Sequence, residues 1–235
     1  MTREVNVAII DNSIDPSIYT PVGHWSAFLE CRWQAFTARE FQFPHLDDGF
    51  THMILTGSEA SILERESWVD KEIELTLEAI KRNIPVLGSC WGHQLLAIAL
   101  AGPACVVRSE NPEIGWIPVK IREDKTLMGK KGQKFIFSSH FDEVIDLDEN
   151  FRVFASSEQC RIHAFQWKTH PVWGIQSHPE MSIPDAMYYL RENVRSKHKH
   201  LSLYQKALDS TPKDTGIIHA VITNFLKYPV SRSKH

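Results

Sequence analysis

Cys90 stands between two glycines in Gly88-Ser89-Cys90-Trp91-Gly92. Val86-Leu87 before it reads as the end of a buried strand, and Leu95, Leu96, Ile98, Ala99 and Leu100 after it read as a helix packed on several sides. A nucleophile on a tight strand-to-helix turn needs neighbours without side chains, because the backbone there is crowded. The unpaired N–H groups opening the helix carry partial positive charge, which favours a thiolate and can hold a developing oxyanion. The spacing therefore predicts acyl chemistry at Cys90.

A thiol nucleophile needs a base and a group to orient that base. Gln176-Ser177-His178-Pro179-Glu180 follows the apolar run Val172–Ile175. In extended backbone, His178 and Glu180 point to the same side. Pro179 fixes its own φ and biases His178 toward that conformation. Glu180 can then accept from one imidazole nitrogen while the other faces Cys90. His140, after Phe135–Phe137, is the nearest rival base. Leu55-Thr56-Gly57-Ser58 places a glycine at the carboxyl end of another strand, where ligands bind in open α/β sheets. The N–H groups of Gly57 and Trp91 are the candidate oxyanion donors.

These pieces require a sheet to hold them. Val5 to Asp11, Phe36 to Phe43, His52 to Thr56 and Ile84 to Leu87 read as strands. Residues 24–36 carry helical spacing, and Glu64 to Arg82 is an amphipathic helix with Trp68, Val69, Ile73, Leu75, Leu77 and Ile80 toward the core. Alternation of strand and helix predicts a doubly wound, mostly parallel sheet with helices on both faces. After Gly102-Pro103 come short β pieces: 105–107, 116–121, 134–137, 151–154, 163–167 and 172–176. Helices are expected at 186–195, 201–208 and 217–226. The last two leave three roles open: capping the sheet, covering the cleft, or an oligomer contact.

The chain has 235 residues, 43% of them hydrophobic, enough for one large α/β core. A net charge of -3 gives no bulk attraction to nucleic acid or to an anionic membrane. Lys197-His198-Lys199-His200 reads as a solvated helix boundary. No apolar run reaches the roughly 18 residues of a membrane span. The chain begins almost at once on a strand, so the expected location is cytoplasmic. Cys31, Cys90, Cys105 and Cys160 form no CxxC pair, so neither a disulfide framework nor a metal site is expected, and no cofactor motif is present.

Gly88 to Gln94 together with Gly174 to Glu180 resembles the class I (triad) glutamine amidotransferases, in the same chain order, over about residues 5–195. The likeness extends to the amidotransferase domain of GMP synthases and to γ-glutamyl peptidases. The resemblance implies a flavodoxin-like sheet with additional hairpin strands over 1–195 and a helical extension over 196–235 packed on the same domain. It implies Cys90 as nucleophile, His178 as base and Glu180 as orienter, with Gln94 holding substrate. Ser139-His140-Phe141-Asp142 is similar to the family's Ser-His-Gly-Asp segment, whose backbone grips the α-amino-acid end of glutamine. Phe141 stands where glycine is usual, Gly57-Ser58 replaces Gly-Pro-Gly, and Ala101-Gly102 replaces Gly-Gly.

Three functions are compatible with these residues. A glutaminase would hydrolyse glutamine and pass ammonia to a synthetase. With no GxxxxGK[ST] phosphate loop in the chain, that synthetase would be a separate protein. A free-standing γ-glutamyl peptidase would act on glutathione-like substrates. A catalytically idle binding protein would keep only the fold.

Overall fold

The computed structural model describes residues 4–168, 170–196 and 199–228. Lys197 and His198 of the basic cluster, and the tail from 229, lie outside the described residues. The chain runs β1 (Asn6–Asp11), α1 (Pro21–Ser26), β2 (Arg32–Thr37), β3 (His52–Leu55), α2 (Val69–Lys81), β4 (Val86–Ser89), α3 (Trp91–Ala101), β5 (Val106–Ile121), β6 (Gly132–Val144), β7 (Phe151–Ser156), β8 (Ala164–Trp167), β9 (Val172–Ile175), α4 (Ile183–Arg195), α5 (Leu201–Leu208) and α6 (Ile218–Leu226), with short 3-10 turns between.

One sheet takes all nine strands in the order β2-β1-β3-β4-β9-β8-β7-β5-β6. The first five pair in parallel. The remainder are antiparallel, with β5 and β6 forming a long hairpin. The parallel half has the flavodoxin-like order, and its carboxyl ends form one ligand-binding edge.

Strand periodicity divides the core into two layers. Ala8, Ile10, Met53, Leu55 and Val86 face α2 and α3. Val7, Ile9, Ile54 and Leu87 face the other way, against Trp25 of α1 and Val221 and Phe225 of α6. A strand buried on both sides is apolar along its length, as β1 is at Val7–Ile10, β3 at Met53–Leu55 and β4 at Val86–Gly88, with polar residues only at the ends. The helix at 218–226 therefore supplies core to the second layer. α5 joins a third cluster, where Tyr204 and Ala207 meet Trp116, Phe137 and Tyr189.

Four expectations are corrected. The helix expected over 24–36 stops at Ser26, and Arg32–Thr37 is strand β2. Ala35 and Phe36 are neighbours that pack into opposite layers, which only an extended backbone permits. The second strand accordingly lies at 32–37, pairing along β1, and not at 36–43. Leu77 of α2 faces solvent, because helical rotation carries it off the stripe held by Val69, Thr76 and Ile80. The β pieces at 105–107 and 116–121 belong to the single strand β5, whose register against β6 shifts between Arg108 and Glu113.

Candidate active site

Cys90 occupies the turn between β4 and α3 with φ 49 and ψ -105. A side chain at positive φ is strained and persists only where the surroundings impose it. Here they do so on both sides. The Cys90 N–H donates to the Ile175 carbonyl at 2.8 Å, tying the turn to β9, and the Gly92 N–H donates to the Thr56 carbonyl at 3.1 Å, tying α3 to β3. A Cβ on Gly88 would press into the Gly92 carbonyl, and one on Gly92 into the Leu55 carbonyl. Both glycines are therefore required by close backbone approach.

His178 arrives from the loop after β9, held by its N–H donating to the Phe137 carbonyl at 2.8 Å. Its Nδ1 lies 2.8 Å from Glu180 Oε1. Both residues are buried. Burial opposes charge on the ring, but the neighbouring Cys90 sulfur and the Glu180 carboxylate, which His178 meets by a hydrogen bond, favour it and outweigh the burial. His178 is pushed up to about 10. The Cys90 thiol also lies 3.7 Å from the Ser139 carbonyl. Cys90 and the His178–Glu180 pair thus come from loops at the ends of the adjacent strands β4 and β9, with the sulfur close enough to act electrostatically on the ring.

A glutamine amidotransferase class-I family model matches residues 9–196. The chain belongs to the class I glutamine amidotransferase family. Over 101 residues it is 40% identical to one subunit of the glutamine-hydrolyzing GMP synthase of Pyrococcus abyssi, a match covering 43% of this chain and 53% of that relative. The chain spans about half the length of that curated relative. The equivalent subunit of the Saccharolobus solfataricus enzyme is 36% identical over 133 residues, 56% of this chain and 68% of that one. A solved glutamine amidotransferase from Methylobacillus flagellatus covers 100% of this chain and 98% of its own, with a TM-score of 0.73 and 20% identity, which shows a shared fold.

In this amidotransferase a cavity of about 400 Å³ opens beside Cys90, lined also by Trp91, Gln94, Ser139, His140 and Phe141. Gln94 donates from Nε2 to the Asp142 carbonyl at 2.8 Å and to Gln176 Oε1 at 3.2 Å. Ser139 Oγ lies 3.1 Å from the Tyr189 hydroxyl. Phe141 stacks on His200, ring centroids 4.4 Å apart, just ahead of α5. The bulk at position 141 thus meets a partner from the C-terminal helical segment. Neither the Gly57 nor the Trp91 N–H bonds a backbone acceptor among the described residues. His140 turns its ring away from the sulfur: Nδ1 lies 3.1 Å from the Asp142 carbonyl and Nε2 3.1 Å from Glu113 Oε2. With both nitrogens engaged, it is not a rival base.

Sequence reasoning missed two residues at this site. The Tyr19 hydroxyl, from the loop after β1, donates to Glu180 Oε1 at 2.9 Å and lies 3.2 Å from His178 Nδ1. Burial and the Glu180 charge hold Tyr19 protonated, so it stays a donor. Glu59 lines the cavity and accepts from the N–H groups of Ile14 and Asp15 at 3.1 and 3.2 Å. Burial pushes its carboxyl up to about 7. Neither sits in a spaced motif; only their lone positions after β1 and β3, at the ligand-binding edge, mark them.

Proposed function

We propose that this chain hydrolyses the γ-amide of glutamine to glutamate and ammonia through a thioester on Cys90. The observation carrying this reading is the strained Cys90 turn facing the buried His178–Glu180 pair. Cys90 Sγ attacks the γ-carbonyl carbon, and the carbonyl electron pair moves to oxygen. The N–H groups of Gly57 and Trp91 receive that oxyanion, each such donor lowering the barrier by roughly 3 kcal/mol. His178 holds the proton lost by the thiol and delivers it to the departing nitrogen, so ammonia leaves and a γ-glutamyl thioester remains. Water then gives its proton to His178 and attacks the thioester, and glutamate leaves as the thiol is restored. Glu180 keeps the ring oriented, with the nitrogen opposite Nδ1 toward the sulfur, and balances the imidazolium. Gln94 and the backbone of Ser139, His140 and Phe141 border the amino-acid end of the substrate.

The curated relatives are each named as one subunit of a glutamine-hydrolyzing GMP synthase. That name supports a second chain, a synthetase, as the ammonia acceptor. The boundary at 195–196 is part of the same proposal, with α5 and α6 as an extension of the catalytic domain. A second reading, hydrolysis of γ-glutamyl peptides without a partner, is favoured by the cavity continuing past Cys90 to Lys199, a cation suited to a further carboxylate, beside Arg108, which already pairs with Asp142 at 3.1 Å.

The deciding experiment measures glutamate release by the purified chain from glutamine and from γ-glutamyl dipeptides. Preference for glutamine, rising when a synthetase chain is added, supports the first reading. Preference for dipeptides supports the second. Cys90→Ala is expected to abolish both, and Glu180→Gln to leave a reduced rate. Full activity in Cys90→Ala, or none in the native chain toward either substrate, overturns a hydrolase.

A further inference from the structure

Glu113 on β5, His140 on β6 and Cys160 between β7 and β8 meet beneath the cavity wall. Their Oε, ring nitrogen and Sγ atoms lie within 4.8 Å of one another, and all three residues are buried. Beside them stands His163, fully buried, with no hydrogen-bond partner for either ring nitrogen among the described residues. Its nearest acidic atom is Glu113 Oε2, 3.6 Å from Nε2. We propose that Glu113, His140 and Cys160 form a buried site for one divalent transition-metal ion, Zn²⁺ by its donor set, with His163 as the fourth donor.

Donor and acceptor accounting points this way. The backbone carbonyl of Asp142 can only accept, so His140 Nδ1 carries the proton in their 3.1 Å contact. The neutral ring then directs a lone pair from Nε2 at an acceptor-only carboxylate oxygen 3.1 Å away. Two lone pairs at that distance require a positive centre between or beside them, either a second proton or a metal ion. A ligating histidine whose other nitrogen donates to a backbone carbonyl is the usual arrangement around protein metals. A proton on His140 would satisfy Glu113 but would leave His163 only its 3.6 Å approach to the same carboxylate. An ion held by Glu113, His140 and Cys160 gives their facing donor atoms a common positive centre, and His163, 3.6 Å from Glu113 Oε2, stands beside that set as the donor that would close on it.

The charge also closes. Zn²⁺ with one carboxylate, one thiolate and two neutral imidazoles is neutral overall, so no net charge is left in the interior. Cys160 gives up its thiol proton on binding, and that proton leaves to solvent. One carboxylate oxygen, two imidazole nitrogens and one sulfur make a four-coordinate set of the kind that closes structural zinc sites, at metal–ligand distances of about 2.0 to 2.3 Å. Cys160 and His163 stand three apart, but Glu113 and His140 come from distant strands, which is why the full donor set leaves no joint spacing signal in the sequence.

Such an ion would join the β5–β6 hairpin to the β7–β8 connection directly behind Ser139 and Phe141, which line the cavity. It would stiffen the wall opposite Cys90 without touching the sulfur. The site stands whatever substrate the enzyme hydrolyses.

The test uses the full chain carrying Cys90→Ser, so that the nucleophile cannot bind metal itself. The protein is incubated with Zn²⁺ or with Co²⁺, desalted and assayed for metal. About one ion per chain is expected, together with a rise in Tm and, for Co²⁺, a thiolate charge-transfer band in the near ultraviolet. Adding Cys160→Ser, or His163→Gln, is expected to remove the bound ion, while circular dichroism reports whether each variant remains folded. Retention below about a tenth of an ion per chain overturns the site. So does an unchanged ion content and cobalt spectrum in a folded Cys160→Ser variant.

Discussion

The Tyr19 hydroxyl and the His178 imidazole meet on one atom: both lie within hydrogen-bond reach of Glu180 Oε1, at 2.9 and 2.8 Å. The oxygen that orients the ring is itself pinned by a phenol reaching in from the first βα loop. Under the proposed mechanism Tyr19 is a positioning residue, acting on His178 through Glu180.

Tyr19→Phe keeps the ring that packs on Tyr189 but removes that donor. One hydrogen bond to a charged acceptor is worth about 1.5 kcal/mol, so kcat/KM is expected to fall roughly tenfold. The freed Glu180 charge acts more strongly on the imidazole, so the apparent pKa assigned to His178 should rise in the pH profile of kcat/KM. A rate loss with an unmoved profile would point to a packing defect instead.

A Cβ at position 57 would sit 2.7 Å from His178 Cε1 and 3.0 Å from the Tyr19 hydroxyl. Gly57→Ala should therefore push the imidazole off line. Misplacing a reacting group by an ångström costs on the order of 100-fold in rate. Expected is a drop of that size in kcat, with Tm lowered only modestly because the crowding falls on the rim of the core. Steady-state kinetics and a thermal melt on the same preparation check both halves.

Cys90 holds φ 49, a conformation that glycine adopts at little cost. Cys90→Gly should remove activity while raising stability by about 1 kcal/mol, because strain of roughly 1 to 3 kcal/mol is relieved against some gain in unfolded-state entropy. Cys90→Ala retains the strained Cβ and should give no such gain. Denaturant melts of the two variants, compared with the native chain, separate strain from chemistry.

Glu72 on α2 is wholly buried, its Oε1 bonded to Asn12 at 3.0 Å and its Oε2 without a partner among the described residues. Burial pushes its carboxyl from 4.5 up to about 8. A folded-state value above the unfolded one means that the native state holds the proton more tightly. Stability from this group is therefore complete below pH 4.5 and is lost as pH climbs to about 8. Relative to the native chain, Glu72→Gln should gain at most about 1.4 kcal/mol per pH unit across that window, then level off. Urea melts at several pH values check the slope, and a flat difference would mean that Glu72 ionises freely in the fold.

Chemistry that depends on neighbouring residues was readable in the chain. Gly88, Cys90 and Gly92 announce the turn because the clash they avoid is local backbone geometry. His178 and Glu180 announce a pair because proline fixes the dipeptide between them. Elements buried on both sides, such as β1 and β4, were equally plain from their unbroken apolar runs. Residues 24–36 were not, since a strand with Ala35 in one layer and Phe36 in the other has no period of its own until β1 lies alongside. Leu77 misled for a related reason: its face was assigned from apolarity before the helix axis was known.

From the order of its amino acids alone, this protein determined a cysteine on a glycine-flanked turn, a histidine paired with a carboxylate, and a sheet wound on both faces. Tertiary structure decided that Tyr19 steadies Glu180, that Phe141 rests on His200, that the last helix completes the second core layer, and that Glu113, His140, Cys160 and His163 converge. The division has one physical origin. Backbone crowding and periodic burial act between near neighbours and leave their mark in spacing. The meeting of side chains from separate strands depends on the order and register in which the sheet brings those strands together, which no single segment encodes.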